Sequence, residues 1–452
     1  MKQSVFNLML LWGLVISANL SAQNCGPGPY RFPHFGGSVI DTNVVYGTVL
    51  NYGQVPVDLK MDIFRPLGDT STRRPLIVWI HGGGFTSGSK TDLWQMCDSF
   101  TRRGYVTASI SYRLGFYRQF DPILGEFQYP YTHDEAEFSR AVYRAMQDAK
   151  GAIRYLRGHA SQYGIDTTCV YVAGESAGGF TALHTAFRDK TNEKPASADS
   201  IAPVKRFDLF GNLLFSALRP NLGSVEGELN QNGTSAKVSG IINIYGAIED
   251  TLLIESANDP ALFQYHILED PIVHCGTAKA YYQTPGLIFP FGSAKVPLVH
   301  GACRIRERAI SVGYTDERHK TYFRTPNLFA NPPITPHNFS GEKAFLTDTL
   351  AAFLDKLYCL KNPATSLEKW EEEMQITLFP NPAQDLVTFR IPEIADRTTF
   401  AYIHDMSGRL WFSGEIINGS QINIESLPGG IYLVKVVAGS KFSIQKLQVL
   451  QH

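Results

Sequence analysis

Charge is scarce in this chain of 452 residues, and what there is cancels. Asp, Glu, Lys and Arg make up 18% of it, and 41 basic against 42 acidic side chains leave a formal charge of −1. Such a balance provides no basic stripe for a polyanion, so nucleic acid is not an expected partner, and nothing steers the chain to a charged membrane surface. Cysteine is sparse too, and six residues (Cys25, Cys97, Cys169, Cys275, Cys303 and Cys359) cannot scaffold a fold of this length. No CxxC pair and no HExxH occurs, so no metal site is indicated and no cofactor is expected. Gly (39) and Pro (25) are near ordinary usage, which excludes a collagen-like chain.

Apolar residues are plentiful: 44% of the chain is hydrophobic, with 28 Phe and 21 Tyr, enough for a large packed core. At the N-terminus Lys2 precedes an apolar run from Leu8 to Ile16 and a small-residue end, Ser17-Ala18-Asn19-Leu20-Ser21-Ala22. That is the pattern of an export signal over residues 1–22, cut after Ala22. The run is shorter than the roughly 20 apolar residues of a membrane span, and no later segment reaches that length, so the mature chain is expected to have no transmembrane anchor. Export places the cysteines where disulfides are permitted.

From Val44 to Pro66 the sequence alternates like a strand pair, and apolar strands then alternate with helical stretches for most of the chain. That predicts a mainly parallel sheet with helices on both faces. Leu76–His81, Tyr105–Tyr112, Cys169–Gly174, Ile241–Tyr245, Ala261–Ile267 and Lys320–Arg324 read as strands. Asp134–Gly158 and Gly341–Cys359 read as helices; in the first, Phe138, Ala141, Val142, Ala145, Ala149, Ile153 and Leu156 recur at steps of three and four, which makes one buried face. Residues 361–373 carry Asn362-Pro363 and an acidic run, and read as a linker. Beyond it, strand-like pieces punctuated by Asn381-Pro382, Ser407-Gly408 and Pro428-Gly429-Gly430 predict a small all-β sandwich over 374–452.

Two strand-to-helix turns carry the chemistry. One strand runs into His81-Gly82-Gly83-Gly84-Phe85, the other into Gly174-Glu175-Ser176-Ala177-Gly178-Gly179. A nucleophilic serine on a sharply bent turn needs small neighbours, which Gly174 and Gly178 supply. The charge developing on an attacked carbonyl needs preset N–H donors, and Gly83, Gly84 and Ala177 are the candidates. A serine nucleophile also needs a base within hydrogen-bond reach and a carboxylate to orient it. A phosphate loop is excluded because Gly88-Ser89-Lys90 stands where GK[ST] is required.

Leu76–Phe85, Ser109–Gly115 and Gly174–Gly179 together resemble the α/β-hydrolase carboxylesterases, over about residues 40–360. The resemblance implies an α/β-hydrolase fold for residues 23–360, ester hydrolysis through an acyl-enzyme, and a triad in the chain order serine, acid, histidine. Asp270 is the first choice of acid, because it follows the strand Ala261–Ile267 and Asp270-Pro271-Ile272-Val273 resembles the family's acid-bearing turn; Asp259 precedes that strand and Glu269 is a neighbour. His337 follows the last strand and precedes the closing helix, whereas His319 lies before that strand, His274 and His300 fall in intervening loops, and His266 reads as core. Cys275 and Cys303 flank the segment after the acid turn and are the expected disulfide pair. The aromatic stretch Phe116–Tyr131 is a candidate pocket wall or a packed-down loop, and the insertion Thr191–Lys237 a candidate cap.

Ile376–Ala383, Asp405–Arg409 and Leu427–Tyr432 resemble the type IX secretion C-terminal sorting domain. That resemblance implies a Gram-negative producer, the type IX machinery as partner, and a secreted or cell-surface product. The expected activity is carboxylic-ester hydrolysis on short or aromatic esters, since the resemblance reaches esterases that remove acetyl or feruloyl groups from plant polysaccharides. A serine exopeptidase, a lipase and a non-catalytic surface adhesion protein are the rival readings.

Overall fold

The structure is a computed structural model that describes residues 28–115, 119–121, 126–128, 135–207, 210–279, 296–361, 375–391, 399–406, 410–438 and 441–450. The expected export signal (1–22), nearly all of the expected linker (361–373) and most of the aromatic loop (116–131) lie outside the described residues.

Eight strands form the central sheet: β1 (Ser38–Leu50), β2 (Pro56–Pro66), β3 (Arg74–Ile80), β4 (Val106–Ile110), β5 (Ile165–Glu175), β6 (Gly240–Ile244), β7 (Ala261–Ile267) and β8 (His319–Arg324). Their spatial order is β1-β2-β4-β3-β5-β6-β7-β8. β1 and β2 pair antiparallel, as do β2 and β4, and every pairing from β4 to β8 is parallel. All residues of β4, β6 and β7 are buried, as a parallel sheet covered on both faces requires.

The covering helices are α1 (Trp94–Thr101), α2 (Glu135–Gly158), α3 (Ala177–Phe187), α4 (Ala302–Ser311) and α5 (Lys343–Lys361). α2 and α3 pack one face of the sheet through Phe138, Val142, Phe180 and Leu183, and α1 and α5 pack the other through Phe100, Leu346 and Leu350. This is the α/β-hydrolase architecture expected from the sequence. Strand Ala261–Ile267 begins and ends where the sequence predicts, and β8 and α5 shift by one or two residues.

α2 departs from the expectation in one respect. Its apolar face is buried as predicted, but Arg140, Arg144, Gln147, Lys150 and Arg154 on the opposite side are buried as well. The cause is the insertion after α3, which forms a hairpin (Ile201–Phe207 with Leu213–Arg219) and a run of turns to Ser239 that packs over the polar stripe. Its carbonyls take the hydrogen bonds: Ser197 and Pro220 accept from Arg140, Leu222 and Ser224 from Gln147, Leu229 from Arg154.

Cys275 and Cys303 form a disulfide, and Cys97 and Cys169 are buried thiols. The C-terminal region is all-antiparallel: a sheet of Thr377–Phe379, Leu386–Arg390 and Gln421–Asn423 faces one of Leu410–Ile416, Thr399–Asp405, Gly430–Ala438 and Lys441–Val449. Val387, Phe389, Ile403, Val434 and Leu447 fill a core of their own between them.

Candidate active site

Three side chains carried by three separate turns meet at the C-terminal edge of the parallel strands. β5 ends at Glu175, and Ser176 bends the chain with φ 53° and ψ −118° before α3 begins at Ala177. The bend is tight enough that a Cβ on Gly174 would strike the Gly178 carbonyl, and one on Gly178 would strike the carbonyl of Ile80 at the end of β3. Glycine at these positions is what lets the serine turn and the Gly82–Gly84 turn lie against each other.

His337 lies in the loop between β8 and α5, and its Nε2 is 2.8 Å from Ser176 Oγ. Its Nδ1 is 2.7 Å from Asp270 Oδ2. In the tautomer whose Nδ1–H donates to the carboxylate, Nε2 is left to accept the hydrogen bond of the serine hydroxyl. Asp270 is 1% exposed, and its Oδ1 accepts the Ile272 and Val273 amides at 2.8 and 3.0 Å, so the carboxylate is held on both oxygens.

The facing turn is preset. Gly83 and Gly84 have φ of 102° and 60°, and among the described residues neither amide donates to a backbone carbonyl. The Ala177 amide is the first of α3, where no preceding helical turn can take it. Tyr112 stacks on His81 at 4.5 Å and donates to the His81 carbonyl at 3.0 Å, while the Gly115 amide donates to the Phe85 carbonyl at 2.7 Å. The segment Tyr112-Arg113-Leu114-Gly115 therefore clamps the glycine turn from outside.

Two neighbours were not singled out from sequence. The Tyr245 ring packs 4.6 Å from the His337 ring, and Tyr245 itself has φ 38°. Burial raises the carboxyl pKa of Glu175, opposed by the Tyr245 hydroxyl and by His337. Glu175 was legible as the residue before the serine; Tyr245 looked like an ordinary strand end. The rejected candidates lie elsewhere. Asp259 caps the turn before β7 by accepting the Glu255 and Ser256 amides, and Glu269 is exposed. His319 opens β8 and contacts Thr321, His300 contacts Thr277, His274 is exposed, and His266 is fully buried with its ring pKa lowered to about 4 by burial. Among the described residues no group of three or more His, Cys, Asp or Glu is placed to hold a metal ion, and no helix is long and apolar enough to cross a membrane.

Comparison with known proteins finds family matches in two parts of the chain. Residues 58–194 match the Carboxylesterase family, residues 130–279 match BD-FAE, and residues 377–450 match the Secretion system C-terminal sorting domain. Secreted lipase 5 of Gibberella zeae is 26% identical over 156 residues, 32% of this chain and 27% of that protein. Carboxylesterase 3 of Pongo abelii is 32% identical over 125 residues, 27% of this chain and 19% of that protein. The chain thus spans only about a fifth to a quarter of the length of these relatives. Thermogutta terrifontis esterase 2 phosphorylated by paraoxon superposes with a TM-score of 0.42 at 19% identity, covering 71% of this chain and 93% of that one. The matches to esterase families thus fall within residues 58–279, and the match to a secretion-system sorting domain within residues 377–450.

Proposed function

We propose that the protein is an exported serine carboxylic-ester hydrolase that works through an acyl-enzyme on short-chain or aromatic esters, with acetyl or feruloyl esters of polysaccharides as its natural class. The observation that carries this reading is the unbroken hydrogen-bonded line from Asp270 through His337 to Ser176 Oγ. Ser176 attacks the ester carbonyl as its proton passes to His337 Nε2, and Asp270 stabilises the imidazolium that results. The carbonyl oxygen, now negative, is received by the amides of Gly83, Gly84 and Ala177. Collapse breaks the bond to the alcohol, which leaves with the proton from His337. Water then attacks the acyl-serine by the same route, releases the acid and restores Ser176. Neither half-reaction calls for a cofactor.

The modules divide the work: residues 1–22 direct export, 23–360 hold the hydrolase, 361–373 link, and 374–452 address the chain to the type IX machinery. A short or aromatic acyl group is supported by the insertion over 191–237, whose described residues form a β-hairpin and short 3-10 turns with no long apolar helix to roof a lipid trough. The test is kcat/KM on acetyl, butyryl, feruloyl and long-chain esters, read as differences in transition-state binding. A maximum on acetyl or feruloyl esters is expected. A maximum on long-chain acylglycerols would establish a lipase instead, and no turnover with any ester would leave the adhesion reading.

A further inference from the structure

A cavity lies on the outer side of α2, away from Ser176. It measures about 430 Å³, within the usual range for small-ligand sites. Its walls are the turn joining β1 to β2, the polar stripe of α2 and residues 217–222 of the insertion. Arg144 lines the α2 wall and is only 3% exposed. Among the described residues its one hydrogen-bond acceptor is the Gly115 carbonyl, at 3.1 Å, and Nε has no partner.

Its neighbours are all compensated. Arg113 pairs with the fully buried Asp148 at 2.7 Å, Arg219 pairs with Glu137 at 3.2 Å, and Arg140 donates to the carbonyls of Ser197, Asp199 and Pro220. Burial and the neighbouring Arg113 and Arg140 lower the pKa of Arg144 to about 9 against the opposing pull of Glu137 and Asp148, which still leaves it charged at neutral pH. Both carboxylates are ion-paired to other arginines, and a buried cation with no ion pair of its own destabilises the fold unless something pairs with it.

We propose that this cavity is a carboxylate-binding site in which Arg144 supplies the receiving cation. A planar carboxylate matches the edge of one guanidinium. A single negative charge also fits the local balance, because Asp148 and Glu137 are already spent on Arg113 and Arg219, and Glu228 at the rim repels a dianion. Such a carboxylate has two sources, a free small acid or a uronic acid unit of a polysaccharide.

Calorimetry on the full chain at low salt with acetate, galacturonate, galactose and inorganic phosphate tests this. Galacturonate is expected to bind and galactose not; acetate binding as well points to free acids, and galacturonate alone points to a uronate. Arg144→Met should abolish the binding, while Arg144→Lys, which keeps the charge but not the planar fork, should weaken it about tenfold. The ligand-free Arg144→Met protein should melt no lower than the parent, because an unpaired buried charge has been removed; a structural arginine would instead lower the melting temperature. The proposal is overturned if neither carboxylate binds, if binding survives Arg144→Met, or if phosphate binds more tightly than galacturonate. Hydrolysis enters none of these readouts, so failure of the esterase reading leaves the test intact.

Discussion

Ser176 holds a backbone conformation that glycine would adopt more easily, and it is not alone around the site. Phe85, Ser176, Tyr245, Glu269 and His337 all have positive φ, between 38° and 62°. They occupy the turns after β3, β5, β6 and β7 and the loop after β8, so every turn that builds the site stores strain, on the order of 1–3 kcal/mol per residue. The surrounding sheet is what pays for it. Two variants separate the chemistry from the strain. Ser176→Ala should lose on the order of a million-fold in kcat while remaining folded, since the nucleophile acts as part of a unit. Ser176→Gly should be equally inactive but more stable than Ser176→Ala by about 1 kcal/mol, because only the glycine is at ease at that φ. Urea denaturation of the two purified variants gives the difference, and equal midpoints would mean that the bend is not strained. Activity retained by folded Ser176→Ala would remove the nucleophile assignment.

At the scale of elements, what the sequence made legible follows from which interactions leave a pattern in it. The strands and the apolar face of α2 were readable because side-chain burial imposes a period. The turn motifs were readable because a sharp bend demands glycine at fixed offsets, and His337 because topology allows one position between the last strand and the closing helix. The burial of Arg140, Arg144 and Arg154 was not readable: their acceptors are mostly backbone carbonyls of the insertion, which any residue type supplies. Tyr245 was missed for a similar reason, since its packing on His337 depends on a turn with no glycine signature. The Arg113–Asp148 pair ties these elements together: Asp148 on α2 accepts both the backbone amide and the guanidinium of Arg113, two residues before the Gly115 amide that holds Phe85. Asp148→Asn leaves a buried guanidinium uncompensated and should cost about 3–5 kcal/mol. It should also lower kcat by loosening the glycine turn. Loss of stability with unchanged kcat in the folded fraction would confine the pair to a structural role.

The molecule as a whole responds to pH through histidines buried in their neutral form. His184 is fully buried; its Nδ1 lies 2.8 Å from the Phe180 carbonyl and its Nε2 accepts the Glu249 amide at 3.3 Å, so protonation would destroy the second bond. Burial lowers its pKa to about 4, as it does for His266. Their unfolded values are near 6.5, so between pH 6.5 and 4 the unfolded chain binds protons that the folded chain refuses. Stability is then complete above pH 6.5 and declines toward pH 4, by at most about 1.4 kcal/mol per pH unit for each histidine. Melting temperature measured across that window should fall, and a His184→Gln variant should show a shallower fall; parallel curves for parent and variant would exclude His184 as a contributor.

The two modules set the last expectation. Ser176, Asp270, His337 and the glycine turn lie wholly before Lys361, and the sandwich has an independent core. Contact between them centres on Phe32, which packs with Phe400, Tyr402, Val437 and Leu410 and lies under the Lys435 ammonium, and on Arg102 over the Phe400 ring. The two layers of the hydrolase core close around the central sheet without any residue of the sandwich. A chain ending at Lys361 should therefore fold and keep its kcat/KM, while in the producing cell it should accumulate short of the outer membrane because the sorting domain is gone. Parallel assays of purified truncated protein and of fractionated cells give both numbers. Intact secretion of the truncated chain would sink the sorting role, and loss of hydrolysis by a folded truncated protein would show that the sandwich supports the active site through Phe32.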